Sequence, residues 1–65
     1  MKKVVIFNYG TLTREYRRFK NEREADSFYE RRKKENENNL VCEPSERCFT
    51  YRTEFGNKLM VQKLY

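Results

Sequence analysis

Tyr16-Arg17-Arg18-Phe19-Lys20 interleaves two aromatic rings with three cations in a run of five residues. Guanidinium forks engage phosphate oxygens through paired hydrogen bonds, and rings accept unstacked bases, so the run holds both components that a single-stranded nucleic acid requires. A plainer reading has Tyr16 or Phe19 filling the core while the arginines solvate an edge strand, where charge also blocks sheet-to-sheet association. A second cluster is Arg31-Arg32-Lys33-Lys34. Successive helical residues fan over ~300°, so at most two or three of these reach one ligand. Glu30 and Glu35 are also placed to pair with Lys34 and Arg31. By itself this cluster reads as a solvated helix end. Combined with Arg14, Tyr16, Arg17, Arg18 and Lys20, it makes a candidate basic surface wrapping the corner between a strand and a helix.

Other chemistry has little to work with. The chain has no His, so a nuclease would need carboxylates with a metal, or Glu with Arg and Tyr. Glu15, Glu22, Glu24, Asp26 and Glu30 form no paired-acid motif and are accounted for by capping and charge balance. Gly10 and Gly56 are isolated, which excludes a phosphate-binding loop of the Walker or dinucleotide type. Cys42 and Cys48 are too few for a structural zinc site or a disulfide framework, and read as free thiols flanking a turn. The expectation is a protein without enzymatic activity, metal or cofactor.

Sixty-five residues make one small domain, 1–65, which buries only about 60% of its unfolded surface. A large cleft is excluded, and function belongs on a surface. Charged residues are 38% of the chain and apolar ones 37%, close to the composition of disordered chains, but ten Phe and Tyr supply a thin core. The net charge of +5 is uneven: residues 1–34 carry eleven Lys or Arg against five acids, and residues 35–65 carry four against five. The positive field, and with it the attraction for a polyanion, belongs to the first half. Two thiols without a scaffold suit a reducing compartment, and Val4-Val5-Ile6-Phe7 is too short for a membrane span, so a cytoplasmic location is expected.

The elements that must position these residues follow from periodicity and punctuation. Lys3 to Tyr9 reads as a central strand buried on both faces, and Thr11 to Phe19 as its hairpin partner. Tyr9-Gly10 as the central pair would place Phe7 opposite Leu12, Val5 opposite Arg14 and Lys3 opposite Tyr16; a longer loop would shift that register. Asn21-Glu22-Arg23-Glu24 has the form of a capping box and starts a helix carrying Ala25, Phe28, Tyr29 and Arg32 on one stripe, which Asn36 to Asn39 end. Leu40 to Cys42 reads as a short strand, Glu43 to Glu46 as a turn, and Cys48 as the start of another strand. Gly56-Asn57 predicts a two-residue hairpin pairing Tyr51 with Gln62, which puts Phe49, Tyr51, Phe55, Met60 and Leu64 on one face. The resulting order, β-β-α-β-β-β, is an α+β domain with a mostly antiparallel sheet of four to five strands and one helix on its apolar face.

The Lys-Lys start and hydrophobic strand, Arg18-Phe19-Lys20-Asn21-Glu22, and the run from Ala25 to Lys34 resemble the small accessory and counter-defence proteins of large tailed bacteriophages. The resemblance spans roughly residues 2–36. It implies a partner among host regulators, nucleases or defence toxins, in the host cytoplasm. One kind of toxin inhibitor in that class is itself RNA-binding, and the basic balance here is similar to it and unlike the acidic nucleic-acid mimics. Two readings follow. One is a nucleic-acid-binding module, with RNA or a single strand preferred because rings on a sheet suit unstacked bases. The other is a protein-interaction inhibitor of a host enzyme. With so small a core, self-association or a partner is also expected, and no membrane.

Overall fold

The computed structural model describes residues 1–65. Val4, Val5 and Ile6 are consecutive and all buried, Val4 and Ile6 in the core cluster and Val5 on the other face between Tyr16 and Gln62 of the neighbouring strands, and they form the middle of β1 (Lys2–Asn8). It pairs antiparallel with β2 (Thr13–Phe19) on one side and β5 (Lys58–Lys63) on the other. The helix α1 (Glu22–Glu35) and a single 3-10 turn (Glu37–Asn39) lead into β3 (Leu40–Ser45) and β4 (Cys48–Arg52). All pairings are antiparallel, in the order β2-β1-β5-β4-β3. The α+β class, the five strands and the single helix are those the sequence predicts.

Asn21 is extended, and its side chain accepts the Glu24 N–H at 2.9 Å, satisfying one of the unpaired amides at the helix start. Glu22 and Glu24 occupy the positive end of the helix and Arg32, Lys33 and Lys34 the negative end. Asn36 closes it by donating its side-chain amide to the Arg32 carbonyl at 2.8 Å. Ala25, Phe28 and Tyr29 are buried against Val4, Ile6, Phe49, Tyr51 and Val61, with the Tyr29 and Phe49 rings edge to face at 5.1 Å. Each fully buried Val or Phe in such a core contributes about 1.5–3 kcal/mol. One face of the sheet is therefore spent on the helix.

Both hairpins differ in register from expectation, with different consequences. The first loop spans Tyr9 to Leu12, so Phe7 faces Arg14, Val5 faces Tyr16 and Lys3 faces Arg18. The cause is Asn8, whose Oδ1 accepts the N–H of Gly10 and Thr11 at 2.8 and 3.3 Å, and Leu12, which takes a positive φ of 57° to close the longer loop. This slip is two residues, so every side chain keeps its expected face. In the second hairpin, Gly56 takes φ +87° behind a turn in which its N–H donates to the Thr53 carbonyl at 2.9 Å, and Thr53 N–H donates to the Asn57 carbonyl at 2.8 Å. That is a three-residue loop with a bulge at Gly56 instead of a two-residue turn. The odd slip pairs Tyr51 with Leu59 and Phe49 with Val61, moving Met60 to the face opposite Phe49. Phe55, expected on the apolar face, is at the loop tip and 85% exposed.

The turn expected at Glu43 to Glu46 tightens to Glu46-Arg47, and β3 continues through Pro44. An edge strand tolerates proline because its outward N–H needs no partner. Register shifts in β3 and the charges of Arg14, Glu15, Arg17 and Arg18 in β2 blunt the two sheet edges. No helix is long and apolar enough to cross a membrane.

Candidate nucleic-acid interface

Strand alternation divides the cations between two faces. In β2, Arg17 lies on the helix side, opposite Val4, while Arg14, Tyr16 and Arg18 lie on the open side, opposite Phe7, Val5 and Lys3. Carrying the register across β5 and β4 adds Met60, Gln62, Lys58, Cys48, Thr50 and Arg52 to the open side. This face spans five strands, about 19 Å between its outermost strands at ordinary spacing, and no helix covers it. Lys3, Arg14, Arg18, Arg52 and Lys58 surround its aromatic residues Phe7, Tyr9 and Tyr16.

The rings are arranged, not scattered. Phe7 and Tyr9 meet edge to face with centroids 4.7 Å apart. The Arg14 guanidinium lies over the Phe7 ring at 5.4 Å, and Lys58 Nζ lies over the Tyr9 ring at 5.0 Å. The Tyr9 hydroxyl reaches Met60 Sδ at 3.8 Å, joining the first hairpin to β5. Tyr16 is 52% exposed. Cations placed over ring faces are held by the quadrupole and keep their outer sides free for an anion.

The electrostatics of the two faces are opposite in kind. The three ion pairs of the structure, Arg17 with Glu15, Lys33 with Glu43 and Lys63 with Asp26, all lie on the helix side. Only Glu15 and Glu43 among the carboxylates occupy strand positions, and neither is on the open face. The open-face cations therefore have no carboxylate partner in the sheet, and Arg52 donates only to the Gly56 carbonyl at 3.1 Å. A patch of unpaired like charge over a low-dielectric sheet gathers counterions, which a polyphosphate displaces.

The candidate residues from the sequence are thus partly assembled. Arg14, Tyr16 and Arg18 join Lys3, Phe7, Tyr9, Arg52 and Lys58. Arg17 and Arg32 share a different ring, with their guanidinium carbons 5.7 and 5.4 Å from the Phe28 centroid, so a fragment of the strand-helix corner does exist on the far face. Arg31 and Lys34 are on the helix, away from the open face, Lys20 lies in the bend between β2 and α1, and Lys33 is tied to Glu43, which holds its ammonium pKa above the usual lysine value. Lys3 and Phe7 could have been found from the period of β1. Arg52 follows in the same way from the period of β4, which puts it on the face opposite Phe49 and Tyr51, whereas Lys58 depends on the bulged register of the second hairpin.

Elsewhere, Cys42 Sγ lies 3.1 Å from Thr50 Oγ1 and both cysteines are unbridged; burial pushes the Cys48 thiol pKa up. No three or more His, Cys, Asp or Glu side chains converge as a metal would need. No protein-family model matches the chain, and no curated protein or solved structure matches it significantly.

Proposed function

We propose that this protein binds single-stranded nucleic acid, RNA by preference, on the open face of its sheet. The observation that carries the reading is the segregation of charge: five cations interleaved with Phe7, Tyr9 and Tyr16 on a face without strand carboxylates, while every ion pair lies on the other face. Phosphates meet Lys3, Arg14, Arg18, Arg52 and Lys58, and bases stack on the exposed ring of Tyr16. A flat sheet with rings suits unstacked bases and not the grooves of a duplex, for which no helix is presented. The phage counter-defence role implied by the resemblance fits such a module if it reaches its host target through bound RNA.

The test is an anisotropy titration of labelled oligouridine and oligoadenosine at two salt concentrations. The Arg14→Ala/Arg18→Ala double variant weakens binding to both and reduces the salt slope by about 1.4, two phosphate contacts on a single strand. Arg17→Ala, on the far face, leaves the slope unchanged. No complex at low salt overturns the reading. Capture of a host protein that survives nuclease treatment and depends on Tyr16 would instead favour a protein inhibitor.

A further inference from the structure

Leu12 is 76% exposed and Phe55 85% exposed, and each occupies a hairpin tip. The antiparallel order puts both tips at one end of the sheet, because the loop that leaves β1 and the loop that enters β5 flank the same strand ends. The loops touch: Tyr9 N–H donates to the Lys58 carbonyl at 2.9 Å, and a Cβ at Gly10 would come within 2.6 Å of Asn57 Oδ1. Any side chain at position 10 would push that amide aside. Leu12 holds its φ of 57° in the left-handed region that favours glycine, yet presents a bulky apolar side chain to solvent. Arg14, Arg52 and Lys58 stand immediately behind the two tips on the open face.

We infer that the paired tips abut the end of a base-paired stem, so that the preferred ligand is a single strand leaving a stem, the strand lying on the open face and Phe55 and Leu12 stacking on the terminal pair. The inference rests on the open face being the single-strand site. An aromatic ring and an aliphatic side chain are the groups that cover or part base steps. The cations behind them meet the phosphates of the departing strand. Glu54, beside Phe55, repels phosphate at the extreme tip, leaving the uncharged face of a base pair as the surface it tolerates.

The chain has no Trp, so Phe55→Trp introduces a single indole reporter. Binding is measured for one oligonucleotide presented alone and as the tail of a stem. The wild type and Phe55→Trp favour the tailed stem by about tenfold, and the indole emission shifts only with the stem present. Phe55→Ala and Leu12→Gly, both at exposed positions, lose that preference and bind the isolated strand as the wild type does. Equal affinity of the wild type for the two ligands, or equal loss on both in the tip variants, overturns the inference while leaving the open face as a strand site. Failure of the wild type to bind either ligand overturns both. Insertion of the introduced indole into anionic vesicles, without any shift on RNA, assigns the tips to a bilayer and overturns the inference as well.

Discussion

Arg14 lies across the β1-β2 pair with its guanidinium over the Phe7 ring, 5.4 Å from the centroid, on the side of the sheet that the helix leaves open. The arrangement makes Phe7 a support for a cation and leaves Tyr16, two residues along the same strand as Arg14, as the bare ring. Tyr16→Ala is expected to weaken single-strand binding by about 1–3 kcal/mol with an unchanged salt slope, because a base loses its stacking surface and no phosphate loses its partner. Thermal melting of that variant stays close to wild type, since the ring is half exposed. Phe7→Ala behaves differently, lowering the melting temperature and weakening binding through displacement of Arg14. An equal loss of salt slope in both variants would contradict this division of labour.

The Tyr29 hydroxyl is buried without a hydrogen-bond partner, and burial pushes its pKa well above the ordinary phenol value. An unmet buried hydroxyl costs about 1–3 kcal/mol. Tyr29→Phe keeps the ring that packs edge to face on Phe49 and beneath Lys63, whose Nζ is 4.5 Å from its centroid. The variant is expected to be more stable by about 1 kcal/mol in urea unfolding, with an unchanged m-value. Destabilisation would mean that the hydroxyl has a partner in solution.

The architecture was legible because local signals agreed with one another. The buried run Val4 to Ile6, the Asn21 cap and the Ala25-Phe28-Tyr29 stripe each determine an element without reference to the rest. The site was less legible because it is a property of register. A slip of two residues at Leu12 changes partners and preserves faces, so Arg14, Tyr16 and Arg18 share the face that the shorter loop would also give them. A slip of three at Gly56 exchanged the faces of β5, so Met60 and Lys58 arrived on the open side unforeseen. Loop length decides such slips, and at Asn8 it is decided by one side chain bonding two backbone amides. Arg17 was grouped with Arg18 because sequence proximity hides the two-residue period of a strand.

Leu12 is a place where local conformation and exposure both argue against the residue present. A left-handed backbone costs a non-glycine residue about 1–2 kcal/mol, and glycine would return about 0.5–1 kcal/mol of that through its freedom in the unfolded chain. Leu12→Gly is therefore expected to be neutral or more stable by up to about 1 kcal/mol, as read from a denaturant midpoint. A loss of stability would show that the exposed side chain packs against its neighbours.

Stability and binding should respond to pH in separate ranges. The Tyr65 hydroxyl donates to Asp26, Lys63 Nζ lies 3.1 Å from the same carboxylate, and together they hold the Asp26 pKa below its ordinary value. A depressed carboxyl pKa stabilises the fold above the unfolded value, near ~3.9, and that contribution disappears as pH falls through the lower folded value. Tyr65 is shifted the other way, chiefly by burial and then by Asp26, so what it contributes is present below the ordinary phenol value near ~10 and is lost as pH rises through its raised one. The fold thus has a plateau between those limits, and Asp26→Asn lowers the plateau and removes part of the acid limb. The charged residues of the binding face are Lys and Arg, and the chain contains no His. Affinity for a single strand at fixed ionic strength is expected to be flat between about pH 5.5 and 7.5, between the ordinary carboxyl and thiol ranges. Asp26→Asn should leave that affinity unchanged, because Asp26 lies on the helix side. Melting curves across the acid range, run beside anisotropy titrations across the neutral range, check both limbs. A loss of binding in Asp26→Asn at a pH where it remains folded would move the interface from the open face to the helix side.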